Sequence, residues 1–464
     1  MKKLSIIHSQ LSIASTVILL SISIAYAQEI RLHFPHFSGQ QYDWKIFQGE
    51  KELTVQSGKI FQDGQVTLSM PKTYQDYRGM TRWLLKSGGG LDMIYTGKGF
   101  SVECLSDKPG PGNIIYTRNL ENDYLVAQHR RQQTILDKLE AVSHVLQVYP
   151  HKEDFHRIAL KEQINLRLQF EQTQKERSKS HLYAARFGEI VDFTRGVADK
   201  IYENQEDHIR YFNNFVTYNL KFMDLYTSGH WDQVLHHWVM MNINSQDGDE
   251  QFRVRLNTVF KRVAEDHILA AVAQKCVPLL VQKGKDDLLP VIVSHLDGHP
   301  DARAKLSDNV KKMMASVKIL TGKKAPDLVW KAPILTQTIQ MSQDIILKTD
   351  HLDADYTILL FYQGDCQLCE DALIDLANKY IWLASNNVRV IAVSGDVSKK
   401  GFQKKLAYHQ WSDNYCDLAG MGGANFKNYA VLGVPTLYLL DKKGIVLEKT
   451  ATVEDLLKAI KTKL

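Results

Sequence analysis

The chain reads as a multidomain α+β protein with three successive parts: a small antiparallel β-sandwich or barrel, an α-helical middle region, and a C-terminal α/β domain. Three observations carry this reading. Short strand-like runs broken by glycine turns fill residues 28–112. Apolar residues at helical spacing then dominate 113–320. From 321 to 464 continuous apolar, β-branched runs alternate with helical patterns, the signature of strands buried on both faces. A chain of 464 residues has room for about three domains.

Residues 1–27 carry Lys2 and Lys3, an apolar stretch from Leu11 to Ile24, and the small-x-small triplet Ala25-Tyr26-Ala27. This is the pattern of a secretory signal peptide cut before Gln28, with an uncleaved membrane anchor as the rival reading. No cysteine stands at the cleavage point, which argues against a lipoprotein. The expectation is export to the periplasm or cell envelope, where thiols need enzymatic management. Losing Lys2 and Lys3 lowers the formal +5 to about +3, too little to argue for nucleic acid. The 44% hydrophobic and 23% charged content is that of a soluble globular protein.

In the β-rich module, strands are expected at Arg31–Phe34, Tyr42–Phe47 and Thr81–Leu85. Asp63-Gly64 suggests a hairpin across 59–68, and Met93–Tyr95 and Phe100–Cys104 suggest another, turned at 96–99. Gly88–Gly90 reads as a flexible loop. Pro109-Gly-Pro-Gly112 is a natural linker. Beyond it, Asn119 can cap a long helix ended near Pro150, and Lys152–Lys179 forms a second, strongly charged one. Further helices are expected around Ile209–Met223, Trp231–Met241 and Phe252–Val277, with Pro290, Gly298 and Pro300 breaking shorter ones up to Ile319.

The chemistry concentrates in the C-terminal part. Tyr356–Tyr362 reads as a buried strand, and Gln363-Gly364-Asp365 as a short loop. Cys366 then opens a helix whose apolar face is Ala372, Leu373, Leu376, Ala377, Tyr380 and Leu383. The free N–H groups and positive dipole end of a first helical turn stabilise a thiolate on the first sulfur. A second sulfur one turn along, Cys369, is placed to resolve a mixed disulfide. Val388–Ser394 and Thr436–Asp441 are further strands, and Pro435 stands at a strand entrance where a ladder N–H is dispensable.

These pieces resemble the secreted TlpA-like thiol–disulfide oxidoreductases of the thioredoxin superfamily. The resemblance rests on the strand–Cys-x-x-Cys–helix, Gly322-Lys-Lys-Ala-Pro326-Asp327, Val434-Pro435-Thr436 and the turn Asp441-Lys-Lys-Gly444. It covers the last third of the chain. More loosely, the β-rich module looks like one of unknown function that often precedes such domains. The resemblance implies a cis Pro435 beside the sulfurs and a substrate held at Val434, Pro435 and Thr436. It also implies protein thiol or disulfide substrates and a membrane or periplasmic electron donor, with no cofactor beyond the redox-active Cys366–Cys369 pair. The chain departs from the family in having Asp365 where a tryptophan is usual, no proline between the cysteines, and Leu360 where thioredoxins carry a buried acid. Asp365, Glu370 and Asp371 are expected to oppose thiolate formation, which leans the expected chemistry towards reduction or isomerisation. The alternative is a cell-envelope adaptor in which the fold is only structural.

Five cysteines, an odd number, argue against a disulfide scaffold. Cys104 and Cys276 read as buried small hydrophobes, and Cys416 as a bystander with a third redox thiol as the alternative. The 17 histidines show no metal-ligand spacing, and no metal is expected. The sharpest alternative is a zinc held by Cys366, Cys369, His409 and Cys416. No phosphate loop, dinucleotide fingerprint or nucleophile-elbow motif occurs.

Overall fold

A computed structural model of the chain describes residues 28–110, 112–319 and 321–463. The signal-peptide expectation for 1–27 lies outside them. The chain divides into two compact units, one up to Val272 and the other from Ala273 onward.

The first unit opens with eight strands: β1 (Ile30–His33), β2 (Gln41–Gln48), β3 (Lys51–Lys59), β4 (Gln65–Leu68), β5 (Gly79–Leu85), β6 (Gly90–Tyr95), β7 (Phe100–Glu103) and β8 (Ile115–Thr117). They form two four-stranded sheets, ordered β4-β1-β7-β8 and β3-β2-β5-β6. Alternate residues of both sheets, among them Leu32, Val66 and Val102 from one and Trp44, Trp83 and Met93 from the other, share one buried core. The alternation is that of a two-layer β fold, and on the outer face of the second sheet Phe47, Met80 and Ile94 are buried against Tyr183, Ala184 and Phe187.

Both expected hairpins are overturned. The Asp63-Gly64 turn carries the chain from β3 in one sheet to β4 in the other, and 96–99 does the same between β6 and β7. Gly64 still needs to be glycine: its φ is +79°, and a Cβ would lie 2.4 Å from Pro35 Cα. The hairpins that do form are β2–β3 and β5–β6. The second is turned at Ser87–Gly89, so Gly88 (φ +102°) and Gly89 (φ +81°) are turn residues rather than a slack loop. One pair, β1–β7, is parallel.

Helices follow. Asn119 caps Leu120–Val148, its Oδ1 accepting from Asn122 N at 3.0 Å, worth about 1 kcal/mol. That helix packs on Asp154–Ser178 through Ile135, Leu139, Leu166 and Phe170. Within this pair of helices and Tyr183–Arg195, Arg177 and Asp192 form an ion pair of 2.6 Å with both side chains under a tenth exposed. The expected helix from Phe252 to Val277 is in fact two, Gly248–Arg262 and Asp266–Gln282. The break carries no proline or glycine. Instead the Arg262 guanidinium donates to the carbonyls of Val216, Thr217 and Leu220, and Val263 turns extended. Pro278, which sequence would place at a helix end, sits inside Asp266–Gln282.

The second unit begins within that helix and continues through Leu289–Asp297, Pro300–Ala304 and Asp308–Ala315. Nine strands follow: β9 (Leu328–Trp330), β10 (Ile334–Leu335), β11 (Gln340–Met341), β12 (Ile345–Leu347), β13 (Tyr356–Tyr362), β14 (Val388–Ser394), β15 (Asp413–Cys416), β16 (Thr436–Asp441) and β17 (Val446–Thr450). Seven of them make one sheet, β11-β10-β15-β14-β13-β16-β17, with β13, β14 and β15 mutually parallel and β16 antiparallel to β13. Along β13, Ile358, Leu360 and Tyr362 face the helices Gln367–Ser385 and Val453–Lys461, while Leu359 and Phe361 face the opposite core. With both faces covered, every β13 residue after Tyr356 is buried.

Candidate functional site

Strand β13 delivers the chain to the site. Its register pairs Phe361 with Thr436, so the residues just past β13 lie beside those just before β16. The loop 363–365 is tied down at once. Gln363 Nε2 donates to Gly395 O at 2.9 Å, and Gly364 N donates to both Asp396 carboxylate oxygens at 2.9 and 3.1 Å. Ser394 Oγ donates to the same carboxylate at 2.7 Å. Gly364 has no room for a side chain, because a Cβ would lie 2.3 Å from Gly401 O. Sequence reasoning missed Asp396. Its signal was a Ser394-x-Asp396 turn at the end of β14, on the edge where neighbouring parallel strands place their loops.

Cys366 is the N-cap of helix Gln367–Ser385, with Sγ accepting from Cys369 N at 3.1 Å. Cys366 and Cys369 are joined as a disulfide with Cα atoms 5.2 Å apart. Cys369 is fully buried, whereas Cys366 is only partly so. One sulfur can therefore be reached from outside and the other only from behind. The Val434–Pro435 peptide is cis, and Val434 O lies 3.6 Å from Cys366 Sγ. Thr436 Oγ1 donates to Gly433 O at 2.7 Å, bracing the loop that carries them. The structure thus gathers Cys366, Cys369, Val434, Pro435 and Thr436 in one place, with Leu360 buried among the same core residues as Cys369.

The expected acidic surround is corrected at Asp365 and Glu370, while Asp371 remains an exposed carboxylate. Asp365 is paired with Lys404, and Glu370 with Lys405. Tyr408 donates a further hydrogen bond to Glu370 at 2.7 Å. The hydrogen bond from Lys404 holds the Asp365 carboxyl below its usual range, and those from Lys405 and Tyr408 do the same for Glu370. Their negative charge is offset locally instead of being imposed on the sulfur. Neither lysine was legible as a partner from sequence, since they stand 39 and 35 residues away.

Among the described residues no group of three or more His, Cys, Asp or Glu could hold a metal ion, so the four-ligand zinc alternative is not assembled. Cys416 is a buried free thiol at the end of β15, 3.5 Å from Asp396 O. His409 is buried against Tyr362 and Trp411. Cys104 and Cys276 are buried free thiols, and burial pushes the Cys276 thiol up to about 12.

A central sheet of this strand order, a Cys-x-x-Cys at a helix start and a cis-proline opposite it define a thioredoxin-like domain. Residues 321–449 match the AhpC/TSA family, and the chain carries a domain of that family at its C-terminal end. No curated protein sequence matches the chain. Among solved structures, a thioredoxin-like protein from Bacteroides caccae is similar at 17% identity and a TM-score of 0.38, over 58% of this chain and 98% of that one. A thiol–disulfide oxidoreductase from Bacteroides fragilis is 23% identical, with a TM-score of 0.26, over 31% of this chain and 100% of that one. The thioredoxin domain of a thiol–disulfide oxidoreductase from Bacteroides vulgatus is 17% identical, also with a TM-score of 0.26, over 31% and 97%. No helix among the described residues is long and apolar enough to cross a membrane.

Proposed function

We propose that this chain is an exported, TlpA-like thiol–disulfide oxidoreductase acting on protein disulfides, working as a reductase or isomerase. The observation that carries the reading is the Cys366–Cys369 disulfide at a helix N-terminus, with only Cys366 approachable and cis-Pro435 beside it. In the reduced enzyme the Cys366 thiolate attacks one sulfur of a substrate disulfide. A Cys366–substrate bond forms as the substrate's S–S bond breaks, and the first substrate thiolate leaves. The Cys369 thiolate then attacks the Cys366 sulfur and expels the second substrate thiolate, which leaves the Cys366–Cys369 disulfide. Two electrons pass to the substrate, and a thiol donor in the membrane or periplasm returns them. Val434, Pro435 and Thr436 hold the substrate backbone alongside Cys366.

The direction rests on what stands near the sulfur. Lys404 and Lys405 are engaged by Asp365 and Glu370, and Leu360 lies in the core beside Cys369. The thiolate therefore depends on the helix N-terminus for stabilisation, whereas strong oxidants stabilise their reduced form more heavily. Residues 321–464 form the catalytic domain in this reading, with 28–112 and 113–320 as the accessory β-rich and helical parts. The sequence pattern of 1–27 supports export to the periplasm or cell envelope.

The test is insulin reduction by the wild type beside Cys366→Ser, together with trapping by Cys369→Ser. The wild type should reduce insulin, Cys366→Ser should not, and Cys369→Ser should accumulate a mixed disulfide with substrate. A wild type as inactive as Cys366→Ser would remove the reading and favour the adaptor. A glutathione titration checks direction: a potential as oxidising as DsbA, about −120 mV, would reverse it.

A further inference from the structure

A cleft of about 640 Å³ lies beside the disulfide, lined by the thioredoxin-like fold and by the helical stretch ahead of it. The fold contributes Leu368, Val434 and Pro435 to the lining, and the helical stretch contributes Val281 and Asp286. Lys449 on β17 holds Asp286 Oδ2 at 3.0 Å. The remaining oxygen, Asp286 Oδ1, is buried and accepts no hydrogen bond among the described residues. Beyond the Asp286–Lys449 pair a second concavity of about 670 Å³ continues past Thr436, so the groove suits an extended segment.

The groove has a marked chemical character. Asp371 and Asp375 sit one turn apart on the helix that begins at Cys366, and Glu454 faces in from another element. With Asp286 they make four acids against one lining base, Lys449, which is already engaged. Leu368 is 68% exposed and Leu432 40%, large apolar side chains left open in the lining of the cleft.

Building on the proposed exchange reaction, we infer that this cleft selects extended polypeptide segments bearing Lys or Arg and an apolar residue near the disulfide cysteine, and that Val281 and Asp286 are specificity-determining residues. The apolar residue covers Leu368 and Leu432. The cationic side chain meets Asp371, Asp375 and Glu454. Interactions of this kind set partner choice and association rate more than overall affinity.

The test uses three synthetic peptides with the same intramolecular disulfide and flanks of Lys, Ala or Glu, beside the small disulfide 5,5′-dithiobis(2-nitrobenzoate). For the full-length reduced enzyme, kcat/KM should be about tenfold higher for the Lys-flanked than for the Glu-flanked peptide at low salt. The gap should shrink in 0.5 M NaCl, where the screening length is only about 4 Å. Asp375→Lys should narrow or invert the preference. Val281→Arg should lower turnover of the Lys-flanked peptide specifically, because it puts a like charge on the wall contributed by the helical stretch. Equal rates for the three peptides, with the small disulfide turned over, overturn this inference and leave the exchange reading standing. A preference that Val281→Arg does not move removes the helical wall from it. Failure to reduce any of the four disulfides defeats the exchange reading and the inference together.

Discussion

His409 offers a sharp test of the burial described around the site. It is 5% exposed, with Tyr362 set edge-on at 5.4 Å and Trp411 stacked at 5.2 Å. Neither ring nitrogen has a hydrogen-bond partner among the described residues. Burial pushes its pKa down from the ordinary 6.5 to about 4. The unfolded chain therefore takes up a proton below pH 6.5 that the folded chain refuses until near pH 4. Between those values the unfolded state binds more protons, so stability is lost as the pH falls. The full interval corresponds to roughly 3 kcal/mol, of which about 2.5 is gone at pH 4.5. Carboxylates titrate over the same range, so the measurement is a comparison. Urea unfolding of the second unit's transition is followed at pH 7 and pH 4.5 for the wild type and for His409→Phe. Phenylalanine keeps a ring of similar size and removes two unpaired buried polar atoms, so the variant should be near neutral or stabilising at pH 7. It should then lose about 2 kcal/mol less than the wild type on acidification. Equal losses in the two proteins would refute the reasoning, since they would mean the imidazole reaches water or a partner in the folded state.

Two further expectations follow from buried polar groups. Asp396→Ala orphans the Gly364 N–H and the Ser394 hydroxyl, and should cost roughly 2–4 kcal/mol and slow insulin reduction; Asp396→Asn, which keeps an acceptor, should cost less. An unchanged melting temperature and rate in the alanine variant would show that the carboxylate does not hold the loop. Arg177→Met leaves Asp192 as a buried unpaired charge and should cost about 3–5 kcal/mol, with Arg177→Met/Asp192→Leu recovering most of it. Two variants melting at the same low temperature would contradict that coupling.

Much of the second unit was legible because its signals are local. Tyr356–Tyr362 and Val388–Ser394 are mostly apolar runs, and both occur as strands with those limits. The capping role of Asn119 is equally local, needing only a short polar side chain three residues before the N–H it accepts from. In the β-rich module, strand positions were readable from alternation, but partners were not. An Asp-Gly turn reports that the chain reverses and not which sheet it reverses into, so two expected hairpins became crossings between sheets. The single expected helix failed at Val263 for a related reason: Arg262 is held by three carbonyls more than forty residues away.

The site divides in the same manner. Sequence by itself determined the Cys366–Cys369 pair, its place at a helix start and the proline that enters β16, because each depends on a few contiguous residues and on the spacing of one helical turn. Tertiary structure alone decided the electrostatics and the walls. It paired Asp365 and Glu370 with Lys404 and Lys405, put Asp396 under the loop, and brought Val281 and Asp286 into one cleft with Leu368. Charge and shape at a site are sums over whatever the fold brings near, and nearness between residues some 30 to 90 positions apart is a property of the packed chain that no local pattern encodes.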